Sequence, residues 1–174
     1  MRQLIVGIGD CKLSSDPDCS LVTYGLGSCI GITLYDPVAK VGGMLHYMLP
    51  DSSINAEKAR DRPFMYADTG IPLLLQQAYG LGAERRRLQV VAVGGAQLLD
   101  SNGVFNIGKR NHLAMQDIFQ QAGILIHTEV VGGMDSRTIR LEISTGRLLM
   151  RGANGVEKIL ANPNSQEREG RACV

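Results

Sequence analysis

A chain of 174 residues, 44% hydrophobic, with 18 basic against 17 acidic residues, has the material for one packed core and no surplus charge to hold a phosphate backbone or an anionic membrane. Nucleic acid is therefore set aside as a partner. Glycine and charge interrupt every apolar run, and the first fifteen residues lack the sustained hydrophobicity of a secretory leader, so no membrane insertion is expected.

Taken in chain order, residues 3–8 and 21–24 read as short strands, and IGITLYD at 30–36 is a β-branched run ended by Asp36-Pro37. Residues 41–49 supply the next strand, closed by Pro50, and the polar stretch 52–63 is expected to be an exposed loop. A helix follows with Asp68 or Thr69 as its N-cap and Ile71, Leu74, Leu75 and Ala78 along one face, with Pro72 in its first turn. The basic run Arg85 to Arg87 reads as a solvated loop without a role. LQVVAV at 88–93 is a buried-type strand. A second helix is expected over 108–122, with Met115, Ile118, Phe119 and Ala122 on its core face and Gly123 ending it. Three strands at 124–131, 138–143 and 147–151 complete the pattern.

Strands and helices that do not alternate strictly predict an α+β fold. The expected architecture is a single layered domain, β-rich, built as sheets or a sandwich with two main helices packed on it. It should span residues 1–160, with a polar, disordered tail at 161–174.

Four cysteines are present, at 11, 19, 29 and 173. They follow no zinc spacing, so neither a metal nor disulfide pairing is expected, and a reducing, cytoplasmic location is the corresponding expectation. Cys11 is expected in a strand, Cys19 in a turn and Cys173 in a loose tail. Cys29 differs because it lies in the glycine-rich corner GLGSCIG between two strands, where a side chain and backbone N–H groups can face a surface. A thiol is mostly protonated at neutral pH and needs a base to act as a nucleophile. Of the three histidines, at 46, 112 and 127, His46 is best placed, since its strand can pair with the one after Cys29 as a hairpin. The alternative for each residue alone is a buried core side chain. A nucleophile elbow is a poor match because IGITLYDP, not a helix, follows the cysteine. GIGDCK lacks the glycine of a phosphate loop, so no nucleotide cofactor is expected.

The stretches LVTYGLGSCIGITLYDP, VGGMLHYMLP, YADTGIPLLL, VAVGGAQLL, FNIGKRN and VGGMDSRTIRLEISTG together resemble the CheD family of chemoreceptor glutamine deamidases, over about residues 3 to 151. The resemblance implies a protein-glutamine glutaminase with Cys29 as nucleophile, His46 as its base and Thr23 as the third member. Gly27 and Ser28 resemble the pocket wall, and the N–H groups near Ser28 and Cys29 are the expected oxyanion donors. It implies no metal or organic cofactor. The implied substrates are the helical cytoplasmic domains of methyl-accepting chemotaxis receptors, and a CheC-type phosphatase is the implied partner. Two alternatives stay open: a non-catalytic regulator of such a phosphatase, and a cysteine hydrolase acting on another protein amide or on a receptor methyl ester. The three residues are expected to meet in one shallow pocket, with Cys29 held as a thiolate by an imidazolium and labelled at mildly acidic pH.

Overall fold

The computed structural model describes residues 2–97 and 106–163. Its elements run β1 (Arg2–Ile5), β2 (Asp10–Ser14), β3 (Cys19–Leu26), β4 (Ile30–Asp36) and β5 (Val41–Tyr47). A 3-10 turn at Ser52–Asn55, α1 (Ala56–Asp61), a second 3-10 turn at Pro63–Met65 and α2 (Ala67–Gly80) follow. After a third 3-10 turn at Arg85–Arg87 come β6 (Gln89–Gly94), α3 (Ile107–Ala122), β7 (Ile126–Val131), β8 (Arg137–Glu142), β9 (Leu148–Arg151) and β10 (Glu157–Ala161).

The strands form two sheets, ordered β1-β3-β8-β9-β10 and β2-β5-β4-β6-β7. Alternation along β4, β5 and β6 explains why the second sheet lies in the middle of the molecule. Ile30, Ile32, Leu34, Val41, Leu45, Tyr47, Val90 and Ala92 face α2 and α3, where Ile71, Leu74, Ala78, Met115 and Phe119 cover them. Met44, Val91 and Val93 point the other way and pack on Leu21, Ile139, Leu141 and Leu148 of the first sheet. The fold is thus α+β, sheet on sheet on helices, as the residue pattern predicts. Each large side chain buried in these two cores contributes about 1.5–3 kcal/mol.

The hairpin of β4 and β5 is antiparallel with Asp36 opposite Val41 and Gly31 opposite His46. Its turn is organised by Asp36, whose carboxylate accepts from the N–H groups of Val38 and Ala39 and, across the fold, from Glu84 N–H and Arg87 Nε. Burial alone would raise this carboxyl, but the Arg87 hydrogen bond and the three backbone donors outweigh it and hold it below its ordinary value. The basic run at 85–87 therefore has a structural role that charge counting does not reveal, because the partner of Arg87 is 51 residues away.

Several expectations are corrected. The stretch 52–63 is not a plain loop, since Asn55 accepts from Lys58 N–H as an N-cap and α1 forms behind it. Tyr66, not Asp68 or Thr69, is the N-cap of α2, which places Pro72 beyond the first turn. Asp68 instead binds Ser52 through its N–H and hydroxyl. Cys19 opens β3 and is fully buried, not in a turn. β2 carries Cys11 in a strand as expected, and β10 adds a strand that short polar alternation conceals. Gly123 does end α3, in the left-handed conformation with φ 63°. The tail expected from 161 lies outside the described residues from 164 onward, Cys173 included. Among the described residues no helix is long and apolar enough to cross a membrane.

Candidate active site

His46 stands on the face of β5 that looks toward the first sheet, and Thr23 of β3 reaches it from that sheet. Thr23 Oγ1 lies 2.8 Å from His46 Nδ1 and 2.7 Å from the Val6 carbonyl oxygen. A hydroxyl has a single hydrogen, and a carbonyl can only accept it. Thr23 therefore donates to Val6 and accepts from His46, so this hydrogen-bond network assigns the imidazole hydrogen to Nδ1. The lone pair is left on Nε2. That atom is buried and has no hydrogen-bond partner among the described residues.

A buried acceptor without a partner costs about 1–3 kcal/mol, so its retention calls for an explanation. The register supplies one. His46 is directly opposite Gly31, and Cys29 sits in the bend two positions before Gly31, just ahead of β4, so the corner that carries the thiol adjoins the strand pair that carries His46. Glycine at 31 places no side chain between them. Cys29 is 9% exposed, against 1% for His46 and 0% for Thr23. Of the three, Cys29 keeps the most exposure, while His46 and Thr23 are closed off from solvent.

Burial also sets the protonation states. It pushes the Cys29 thiol above its ordinary value, only partly offset by the Cys29 backbone N–H, and pushes His46 down to about 4. Both directions favour the uncharged forms, a thiol and an imidazole, over the thiolate and imidazolium of the expectation. Two results follow. Iodoacetamide labelling of Cys29, followed by mass spectrometry, should rise with pH without an acidic shoulder; a shoulder below pH 7 would restore the ion pair. Stability should respond to the same group, because the unfolded histidine, near 6.5, takes up a proton that the folded one refuses until about 4. Stability is therefore full above about 6.5 and falls as pH drops toward 4. Urea unfolding of the wild type and His46→Gln at pH 5 and 7 measures this, and the variant should lose that part of the slope.

The corner before β4 is held from behind. The carbonyls of Gly27, Ser28 and Cys29 accept from Ala96 N–H at 2.8 Å, Asn111 Nδ2 at 3.0 Å and Gly95 N–H at 2.8 Å. This needs close backbone approach: a Cβ on Gly94, whose φ is 125°, would fall 2.2 Å from the Cys29 carbonyl oxygen. Gly27 is buried and Ser28 half-buried in this corner. The remaining histidines are engaged elsewhere, His112 with Glu129 and His127 as acceptor from Val90 N–H. Cys11 is in β2, where burial first and Asp10 second push its thiol up to about 12. Cys19 donates weakly to the Ser20 carbonyl.

Asn111 escaped the sequence reading. A signal was present, because Asn111 lies one turn before Met115 on the apolar face of α3, where a polar side chain has to find partners.

Comparison with known proteins adds a family. The model of a family described as CheD chemotactic sensory transduction matches residues 48–152, more than half of the chain. A protein of Solibacter usitatus named probable chemoreceptor glutamine deamidase CheD is 53% identical over 170 residues, covering 98% of this chain and 99% of its own length. A Syntrophus aciditrophicus protein named probable chemoreceptor glutamine deamidase CheD 1 is 46% identical, covering 89% of this chain and 97% of its own. A relative from Pyrococcus abyssi with the first of these names is 41% identical over 163 residues, 91% of this chain and 98% of its own.

Proposed function

Since this chain belongs to the CheD family, we propose that it is a protein-glutamine glutaminase that deamidates chemoreceptor glutamines with Cys29, His46 and Thr23. The observation that carries the reading is the unpartnered Nε2 of His46, left as a proton acceptor by the hydrogen bond to Thr23, in the strand that pairs with the one Cys29 leads into. A neutral base of this kind suits attack that is coupled to proton transfer. As Cys29 Sγ adds to the carboxamide carbon, Nε2 takes the thiol proton. The carboxamide oxygen becomes an oxyanion, met by backbone N–H groups at Ser28 and Cys29. The imidazolium returns the proton to the departing nitrogen, ammonia leaves and a thioester remains. Water, deprotonated by Nε2, then adds to the thioester; the C–S bond breaks, the thiol is regenerated and glutamate is released.

The relatives' printed names supply the substrate class. The cytoplasmic helical domains of receptors are the proposed substrates, the cytoplasm is the proposed location and a CheC-type phosphatase is the proposed partner. Residues 1–160 are proposed as the catalytic unit. The test is incubation of the purified chain with receptor cytoplasmic fragments, read by peptide mass spectrometry. Conversion of specific glutamines to glutamate supports the reading. Release of methanol from methylated fragments with glutamines untouched would make the protein a methylesterase instead.

A further inference from the structure

Asn111 is fully buried in α3. Both hydrogens of its side-chain amide are used, one on the Ser28 carbonyl at 3.0 Å and one on the Met48 carbonyl at 2.9 Å. Two facing carbonyls also settle which side-chain atom is the nitrogen. The residue's own carbonyl accepts the Tyr47 hydroxyl at 2.7 Å. One helix residue thus grips the peptide just before the nucleophile and the strand just after the base. Its Oδ1, meanwhile, is a buried acceptor without a hydrogen-bond partner among the described residues. A position serving packing alone would be better filled by an apolar side chain, so the amide is kept for its two donors.

No peptide bond among the described residues is cis, so the Ser28 carbonyl and the Cys29 N–H lie on one planar unit and point in opposite directions. Whatever holds the first therefore aims the second. The Ala96 N–H does the same for the preceding peptide, holding the Gly27 carbonyl at 2.8 Å and so directing the Ser28 N–H.

We propose that Asn111 is a positioning residue that aims the Cys29 N–H at the oxyanion formed during deamidation. The proposal rests on the cysteine hydrolase reading, and its mark is a defect in turnover without a defect in the thiol. Iodoacetamide alkylation displaces iodide at a saturated carbon and builds no oxyanion, so it reports the thiol and its base but not the aimed N–H.

Asn111→Ala and the near-isosteric Asn111→Asp are compared with wild type and Cys29→Ala. kcat and KM are measured on receptor fragments, alkylation rate at Cys29 and melting temperature on the free protein. Either folded Asn111 variant should lose about a hundredfold in kcat, the loss associated with a missing oxyanion donor, with KM and the Cys29 alkylation rate near wild type. Wild-type kcat in both variants overturns the proposal. So does an alkylation rate that changes in step with kcat, since the whole corner has then moved. Failure of both variants to fold assigns Asn111 to the fold alone and overturns it as well. A wild type inactive on glutamine, or a Cys29→Ala variant as active as wild type, withdraws the hydrolase reading itself and is told apart by those two arms.

Discussion

Cys29→Ala and His46→Ala will each leave receptor glutamines unconverted, with a loss in kcat on the order of a millionfold, and the double variant will be no worse than either single one. On the proposed mechanism the two groups act as a unit, because burial favours the protonated thiol in the free chain. Without Nε2 nothing takes its proton as the C–S bond forms, and without sulfur the base has no nucleophile to activate. His46→Ala leaves room beside Cys29, so its thiol should still be alkylated at high pH. Activity and thiol accessibility are thereby separated in one protein. The check is glutamine conversion by mass spectrometry alongside labelling of Cys29. If His46→Ala keeps a few percent of wild-type turnover, another base serves the thiol.

Thr23→Val should be the most damaging change at a residue that touches neither substrate nor sulfur. Valine matches the shape of threonine and removes only the hydroxyl that accepts from Nδ1 and donates to Val6. The imidazole is then free to carry its hydrogen on Nε2, where it faces Cys29 as a donor and cannot take the thiol proton. Loss of tautomer control of this sort lowers kcat by about 10⁴ in serine proteases. A loss of about 10²–10⁴ is expected here, smaller than for an aspartate because threonine adds no charge. Thr23→Ser should recover most of it. Nitrogen NMR of labelled histidine provides a readout independent of turnover: the wild type should show the Nδ1–H form and Thr23→Val a mixture. A pure Nδ1–H spectrum in Thr23→Val would show that something else fixes the ring.

Much of this site was legible in the residues, and for a local reason. Cys29 immediately precedes a strand that a short turn joins to the strand of His46, so one hairpin brings their segments together, and IGITLYDP and VGGMLHYM show that hairpin by alternation and a proline stop. Thr23 came only from the resemblance, because its contact with His46 crosses between sheets and sequence spacing carries no trace of sheet packing. Asn111 and Arg87 were missed on the same grounds, with partners at Ser28 and Asp36 far away along the chain. The charge states are a separate matter. A cysteine and a histidine in one region suggest an ion pair, whereas the desolvation that opposes it depends on how many layers cover the strand. Both faces of β5 are covered, one by helices and one by a sheet. β10 was overlooked, and β2 was foreshadowed only by the strand expected at Cys11, because edge strands with exposed sides keep little apolar alternation.

The hydrogen bond from His46 to Thr23 joins residues of two different sheets, and it spans only 2.8 Å. The proposed base is therefore oriented by the spacing of the sandwich and not by the hairpin that carries it. A hydrogen bond weakens steeply once its atoms separate beyond about 3.5 Å, a displacement small compared with unfolding. Heat, pressure or a core substitution that lets one sheet slide on the other would thus silence turnover while circular dichroism and the melting curve still reported an intact protein. Catalysis here works as a gauge of how tightly the two sheets are closed.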